Sequence, residues 1–219
     1  MIEENKILHS SKGKSEPIPE EIKALMRGVS MPDGAKILYD DLAYLTIPHY
    51  NFDGKKVIGH MIVNKTVASE VLSIFQELCE IQYPIERMEL IDYFLPYVSE
   101  QFPTLDDASM GKNNSSSFCY RVIDGTDQIS NHAFGLAIDI NPLLNPWVRD
   151  GIFTPSNAKP YLNREPNFEN PVINRALIHH GDEIFKIFAK YGWLWGGDWK
   201  GKKDYQHFYK GEKIINNTL

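Results

Sequence analysis

Four side chains in the second half of the chain are of the types that metal-assisted hydrolysis needs. His132 and Asp139 stand in the run SNHAFGLAIDI (130–140), and Asp204 and His207 belong to DYQHF (204–208). Asp139 is an acid inside an apolar stretch. Burying an unpaired carboxylate is costly, so it needs a cation, a metal or several donors. Two imidazoles and one carboxylate make a zinc shell with the fourth position left to water. The site keeps a charge of about +1, which draws the pKa of that water towards ~7. Asp204, three residues before His207, is placed to take the water's proton and pass it to a leaving amine.

The spacing sets a condition on the backbone. His132 and Asp139 are seven residues apart, and on an unbroken strand an odd spacing sends side chains to opposite faces. Convergence therefore requires a break, and Gly135 is the place for it, since glycine accepts backbone angles that other residues avoid. The other five of the seven histidines lack such company. His9 lies in a polar tail, His49 follows Pro48, His60 sits in a strand, and His179 and His180 are adjacent at the mouth of a helix. Neighbours on a helix point ~100° apart and rarely share a metal. Asp198, between Gly197 and Trp199, reads as a turn residue.

The elements that must position these groups are mixed. A short helix is expected over roughly Glu20 to Arg27 and a loosely alternating strand over Tyr39 to Ile47, stopping at Pro48. A β-branched strand is expected over Lys55 to Asn64. Val67, Val71, Ile74, Phe75 and Leu78 form one helical stripe, with Thr66 offered as N-cap and Tyr83-Pro84 as the end. Arg87 to Tyr93, Phe118 to Ile123 and Gly135 to Ile140 read as strands, Asp106 to Ser117 as loop. The span 141–168 shows no sustained periodicity. A second helix is expected over Asp182 to Tyr191, closed by Gly192, before an aromatic, strand-like tail. The economical fold is α+β: a single domain with a central antiparallel sheet flanked by helices. Residues 1–30 form a tail and short helix, and 31–219 the functional domain, with its core at about 113–209.

Composition narrows the function. The 219 residues carry 23 Lys+Arg against 29 Asp+Glu, a net charge of -6. An acidic chain with no basic block is a poor match for nucleic acid or anionic membranes. No apolar stretch approaches the ~18 residues of a membrane span. The start, residues 1–14, lacks the apolar region of a secretory signal. Cys79 and Cys119 cannot build a disulfide framework and read as small buried hydrophobes.

The motif Ser130-x-His132-x-x-Gly135-x-Ala137-x-Asp139, followed by Asp204-x-x-His207, resembles the VanY-type zinc D-alanyl-D-alanine carboxypeptidases of bacterial cell walls. It is similar also to the L-alanyl-D-glutamate endopeptidases and, at greater distance, to hedgehog signalling domains. Ser117-x-x-Tyr120-Arg121 and the run Trp195-Gly196-Gly197-Asp198-Trp199 look like further pieces of the same pattern, which covers roughly 113–208 well and the first hundred residues weakly. The resemblance implies that His132, Asp139 and His207 bind one Zn²⁺, that Asp204 is the general base, and that Arg121 stabilises the oxyanion. Arg121 and Ser130 would contact substrate, Ser130 reading equally well as a turn residue. Much of the family uses glutamate where Asp204 stands; the endopeptidase branch is similar in using aspartate.

Three classes of function follow. The first is a monomeric zinc peptidase on peptidoglycan stem peptides, of carboxypeptidase or L-alanyl-D-glutamate endopeptidase type. The second is a non-catalytic, zinc-stabilised binding domain, and the third a metal-free scaffold for cell-wall peptides. Asp204 and Arg121 argue against a structural metal, which needs neither base nor oxyanion donor. The substrate implies an extracytoplasmic or cell-envelope location with a leader removed, or a cytoplasmic one if the substrate is recycled wall fragments.

Overall fold

The computed structural model describes Leu8 and residues 10–123, 125–166 and 168–211; His9 and the first seven residues of the expected tail lie outside them. The first sheet is antiparallel, in the order β1 (Lys14–Glu16), β2 (Leu42–Tyr50) and β3 (Lys56–Asn64). Between β1 and β2 lies helix α1 (Glu20–Met26), the helix expected from sequence. β2 runs straight through Pro48, which pairs with Ile58. The expected stop fails because β1 covers only Tyr44 to Thr46 of β2. Pro48 thus sits on an uncovered edge, where a missing N–H is tolerated.

Helix α2 (Ala68–Glu80) packs the expected stripe of Val71, Ile74, Phe75 and Leu78 onto Leu45, Ile47, Met61 and Val63 of that sheet. Its N-cap is Val67. Thr66 instead donates its hydroxyl to Asn64 Oδ1 at 2.7 Å, closing the corner after β3. The same apolar cluster continues through α5 (Glu183–Lys190) to Trp193, Trp195 and Phe208, so one core joins the first sheet to the second.

That second sheet holds β4 (Ala137–Asp139), β9 (His207–Lys210) and β7 (Trp193–Trp195), in that order. A third holds β6 (Ile152–Thr154), β5 (Trp147–Arg149) and β8 (Lys203–Asp204). The chain is α+β, but the described residues form three small three-stranded sheets where one central sheet is expected. Outside β2 and β3 the strands are two to four residues long, too short to extend one sheet across the molecule.

Two expected strands are absent. Each residue of 118–120 bonds a different element: Phe118 N to Ile62 O, Cys119 N to His132 O, Tyr120 N to Ser30 O. No single neighbour offers a ladder there. Arg87 makes one isolated bridge with Asn114, and the chain then enters a 3-10 helix at Ile91–Tyr97. The expected loop from Asp106 begins instead as helix α3 (Leu105–Gly111), capped reciprocally by Thr104 and Asp107. The β5–β6 hairpin lies within the aperiodic span 141–168, and helix α4 (Pro171–Ala176) follows it. Asp182 caps α5 through Phe185 N, and Gly192 follows its end at φ 74°.

Candidate metal centre

His132 rides on a 3-10 turn, Asn131–Phe134, whose N-cap Ser130 accepts from His132 N at 3.2 Å. The turn ends at Gly135 in the left-handed conformation, φ 63°. Here is the required break, and glycine is obligatory twice over: a Cβ would stand 2.4 Å from Asn64 N and 2.8 Å from Val63 C. Asn64, at the end of β3, donates its backbone N–H to Gly135 O and its side-chain amide to Phe134 O. The long strand of the first sheet thereby fixes the turn that carries His132.

Beyond the break, β4 brings Asp139 opposite His207 of β9. Directly opposed residues on antiparallel strands project to the same face. Asp139 is clamped from its other side by paired backbone bonds with Ser116. Asp139 Oδ1 lies 2.9 Å from His207 Nδ1 and Oδ2 lies 3.2 Å from His132 Nε2, while the two imidazole nitrogens are 3.1 Å apart. All three side chains are buried. His132 Nδ1 is 2.6 Å from Ser117 O, so its N–H donates there and Nε2 is left with a lone pair facing the cluster.

These separations suit a tetrahedral ion. With ligand bonds of ~2.0–2.1 Å, the edges of a zinc tetrahedron measure roughly 3.3 Å. Among the described residues no other group of three or more His, Cys, Asp or Glu is drawn together in this way. Burial by itself would drive the Asp139 carboxyl up, but His132 and His207 reverse this and hold it below the usual carboxylate range. Burial would lower the His132 imidazole, and Asp139 overcomes it to raise its pKa. His207 is flanked by aromatic rings, Tyr209 stacked at 5.4 Å and Trp199 at 5.5 Å between centroids, with Trp199 Nε1 donating to the Tyr209 hydroxyl.

Asp204 ends β8, in the third sheet, and the turn 205–206 links it to β9. Its Oδ1 is buried without a hydrogen-bond partner. Burial, joined by the charge of Asp139 and opposed by His207, raises its carboxyl to about 6. Gly196 makes room for this pair of segments, since a Cβ there would lie 2.7 Å from Asp204 O and 3.3 Å from His207 Cβ. That is the physical content of the Gly-Gly run noted in the sequence.

Arg121 precedes the turn that carries His132 and is tied to it, its carbonyl accepting from Ser130 N at 3.0 Å. Its Nη2 meets Asp106 Oδ2 at 2.6 Å, and its Nε is buried without a partner. Burial disfavours its charge, but Asp106, Cys119, Asp139 and Asp204 together raise its pKa. Asp106, on α3, is the partner of Arg121 that sequence reasoning missed. It stands in the pattern Thr104-x-x-Asp107, a capping signal that marks a helix start within the expected loop. The remaining described histidines stay apart: His60 stacks on Tyr44, His49 is buried in β2, and His180 pairs with Asp198 at 2.8 Å.

The segment that carries this geometry is also the one that matches a known family. Residues 124–210 match the family model described as D-alanyl-D-alanine carboxypeptidase. This is the VanY-type peptidase family to which the motif pointed, and the match holds His132, Asp139, Asp204 and His207 together. It covers less than half of the chain and begins after Arg121. No curated protein and no solved structure matches the chain. The family match supports a peptidase, and the buried His-Asp-His cluster is a candidate site for a metal.

Proposed function

We propose that this chain is a zinc-dependent peptidase that hydrolyses peptidoglycan stem peptides, of the D-alanyl-D-alanine carboxypeptidase type. The observation that carries the reading is the approach of His132 Nε2, Asp139 Oδ1 and Oδ2 and His207 Nδ1 in contacts of 2.9–3.2 Å, beside Asp204, whose Oδ1 is buried without a hydrogen-bond partner. His132, Asp139 and His207 hold one Zn²⁺. Zinc, when bound, polarises the scissile carbonyl and lowers the pKa of a water molecule.

The chain's own residues do the rest. Asp204, ionised, takes a proton on its free Oδ1 and returns it to the departing amine nitrogen. Arg121 faces the carbonyl oxygen as negative charge develops on it, an interaction stronger in the transition state than in the ground state. Ser130 retains its O–H for a substrate acceptor, its oxygen already accepting from His132 N. The peptidase domain is 31–219, with its core at about 113–209, acting as a monomer at the cell envelope. Among the described residues no helix is long and apolar enough to cross a membrane.

A second reading is favoured by one observation. Aspartate at 204, where much of the family has glutamate, is shared with the L-alanyl-D-glutamate endopeptidase branch. Mass spectrometry of a muropeptide digest separates the two: loss of a terminal D-alanine supports the carboxypeptidase, internal cleavage the endopeptidase. Zinc bound at one equivalent with every muropeptide intact refutes both and leaves a binding domain.

A further inference from the structure

We infer that Asp106 is a positioning residue for Arg121, and that α3 is the element that sets the oxyanion side of the site. The inference rests on the reading of Arg121 as oxyanion donor and extends it to a residue outside the matched segment. Asp106 Oδ2 and Arg121 Nη2 are 2.6 Å apart, with side chains 18% and 32% exposed, so the pair is partly shielded from water. Arg121 sits on a segment without regular structure, and among the described residues its Nε has no partner. A long side chain on such a segment has many rotamers to lose. The short, charged contact to Asp106 removes that freedom, and it occupies one edge of the guanidinium while leaving other N–H groups for an oxygen of the substrate.

α3 is built to deliver that contact. The capping box between Thr104 and Asp107 fixes its first turn, where Asp106 stands. One turn later, on the same face, Met110 Sδ accepts from Gln206 Nε2 at 3.3 Å. Gln206 lies between Asp204 and His207 in the chain. A single helix of seven residues therefore touches both the segment bearing Arg121 and the turn bearing the base and a ligand.

The test uses the ¹⁵N-labelled, zinc-loaded full chain. The Arg121 Nε–H resonance, assigned by its loss in Arg121→Lys, is expected to exchange slowly with water. Asp106→Ala should accelerate that exchange at least tenfold, and Asp106→Glu should restore much of the protection. Unchanged exchange in Asp106→Ala overturns the inference. In turnover, Asp106→Ala should lower kcat/KM roughly 10–100-fold, chiefly in kcat, at unchanged zinc content. In an Arg121→Ala background it should cost less than twofold; an equal loss in both backgrounds overturns the inference. Asp106→Asn provides a second variant if Asp106→Ala folds poorly. Should the wild-type protein cleave no stem peptide, the functional reading fails, and the exchange measurement still decides the role of Asp106.

Discussion

The half of the molecule built on β2, β3 and α2 and the half that carries the His-Asp-His cluster share one apolar core, but their remaining order comes from different physics. The first is an apolar interlock: two nine-residue strands and a thirteen-residue helix share a cluster that excludes water. The second has strands of two to four residues and buries Asn113, Asn114, Ser115, Ser116, Asn141 and Asn145 along with His132, Asp139 and His207. Beyond the core residues it shares with the first half, its irregular segments are ordered by bonds between single groups, such as Asn145 Oδ1 accepting from Ile178 N at 2.8 Å and Asn141 Nδ2 donating to Pro84 O at 2.9 Å. A generic core tolerates exchange of one apolar side chain for another. A network of specific polar contacts can hold convergent side chains in the fixed geometry that a metal site needs.

The difference is testable by substitutions that separate stability from chemistry. The largest effect is expected for His207→Ala, which should abolish zinc binding and turnover together while the far-ultraviolet circular dichroism stays native. Phe75→Ala, in the apolar half, should cost about 3–5 kcal/mol in denaturant unfolding yet leave the zinc affinity of the folded fraction unchanged. A parallel loss of affinity in that variant would erase the distinction between the halves. Asp204→Ala should keep metal and fold and lose at least ~10²-fold in kcat, about 2.7 kcal/mol of transition-state stabilisation.

Gly135→Ala probes the seam. It forces a left-handed backbone on alanine and drives a methyl group into the β3 backbone, so a loss on the order of 1–3 kcal/mol is expected. Zinc affinity should fall with it, because the break at Gly135 is what lets His132 and Asp139 face each other. The smallest effect concerns His49. Burial pushes its imidazole down from 6.5 to about 4. The folded value lies below the unfolded one, so the neutral form is favoured on folding. That contribution is whole above pH 6.5 and is lost as pH falls towards 4. His49→Phe should flatten the stability profile over that window and leave it unchanged above pH 7.

The same contrast decides what could be read from sequence. The stripe Val71, Ile74, Phe75, Leu78 and the strand 56–64 were legible because burial imposes a period. His132, Asp139, Asp204 and His207 were legible as a motif, and Gly135 as the break their odd spacing needs. The irregular path of 118–120 was not, because its apolar residues mimic a strand while each amide finds a different partner. Asp106 was hidden for a related reason. Its partner is Arg121, fifteen residues on, and only the packing of α3 brings them together.

The central claim is that three convergent side chains make one metal site on which hydrolysis depends. Titrating Zn²⁺ into the metal-free protein, with the cleaved stem pentapeptide counted by mass spectrometry at each addition, addresses it most directly. Cleavage should rise in proportion to added zinc, level off at one equivalent per chain, and stay at background throughout in Asp139→Asn. Cleavage that begins at full rate without metal, or is unchanged in Asp139→Asn, would contradict the account.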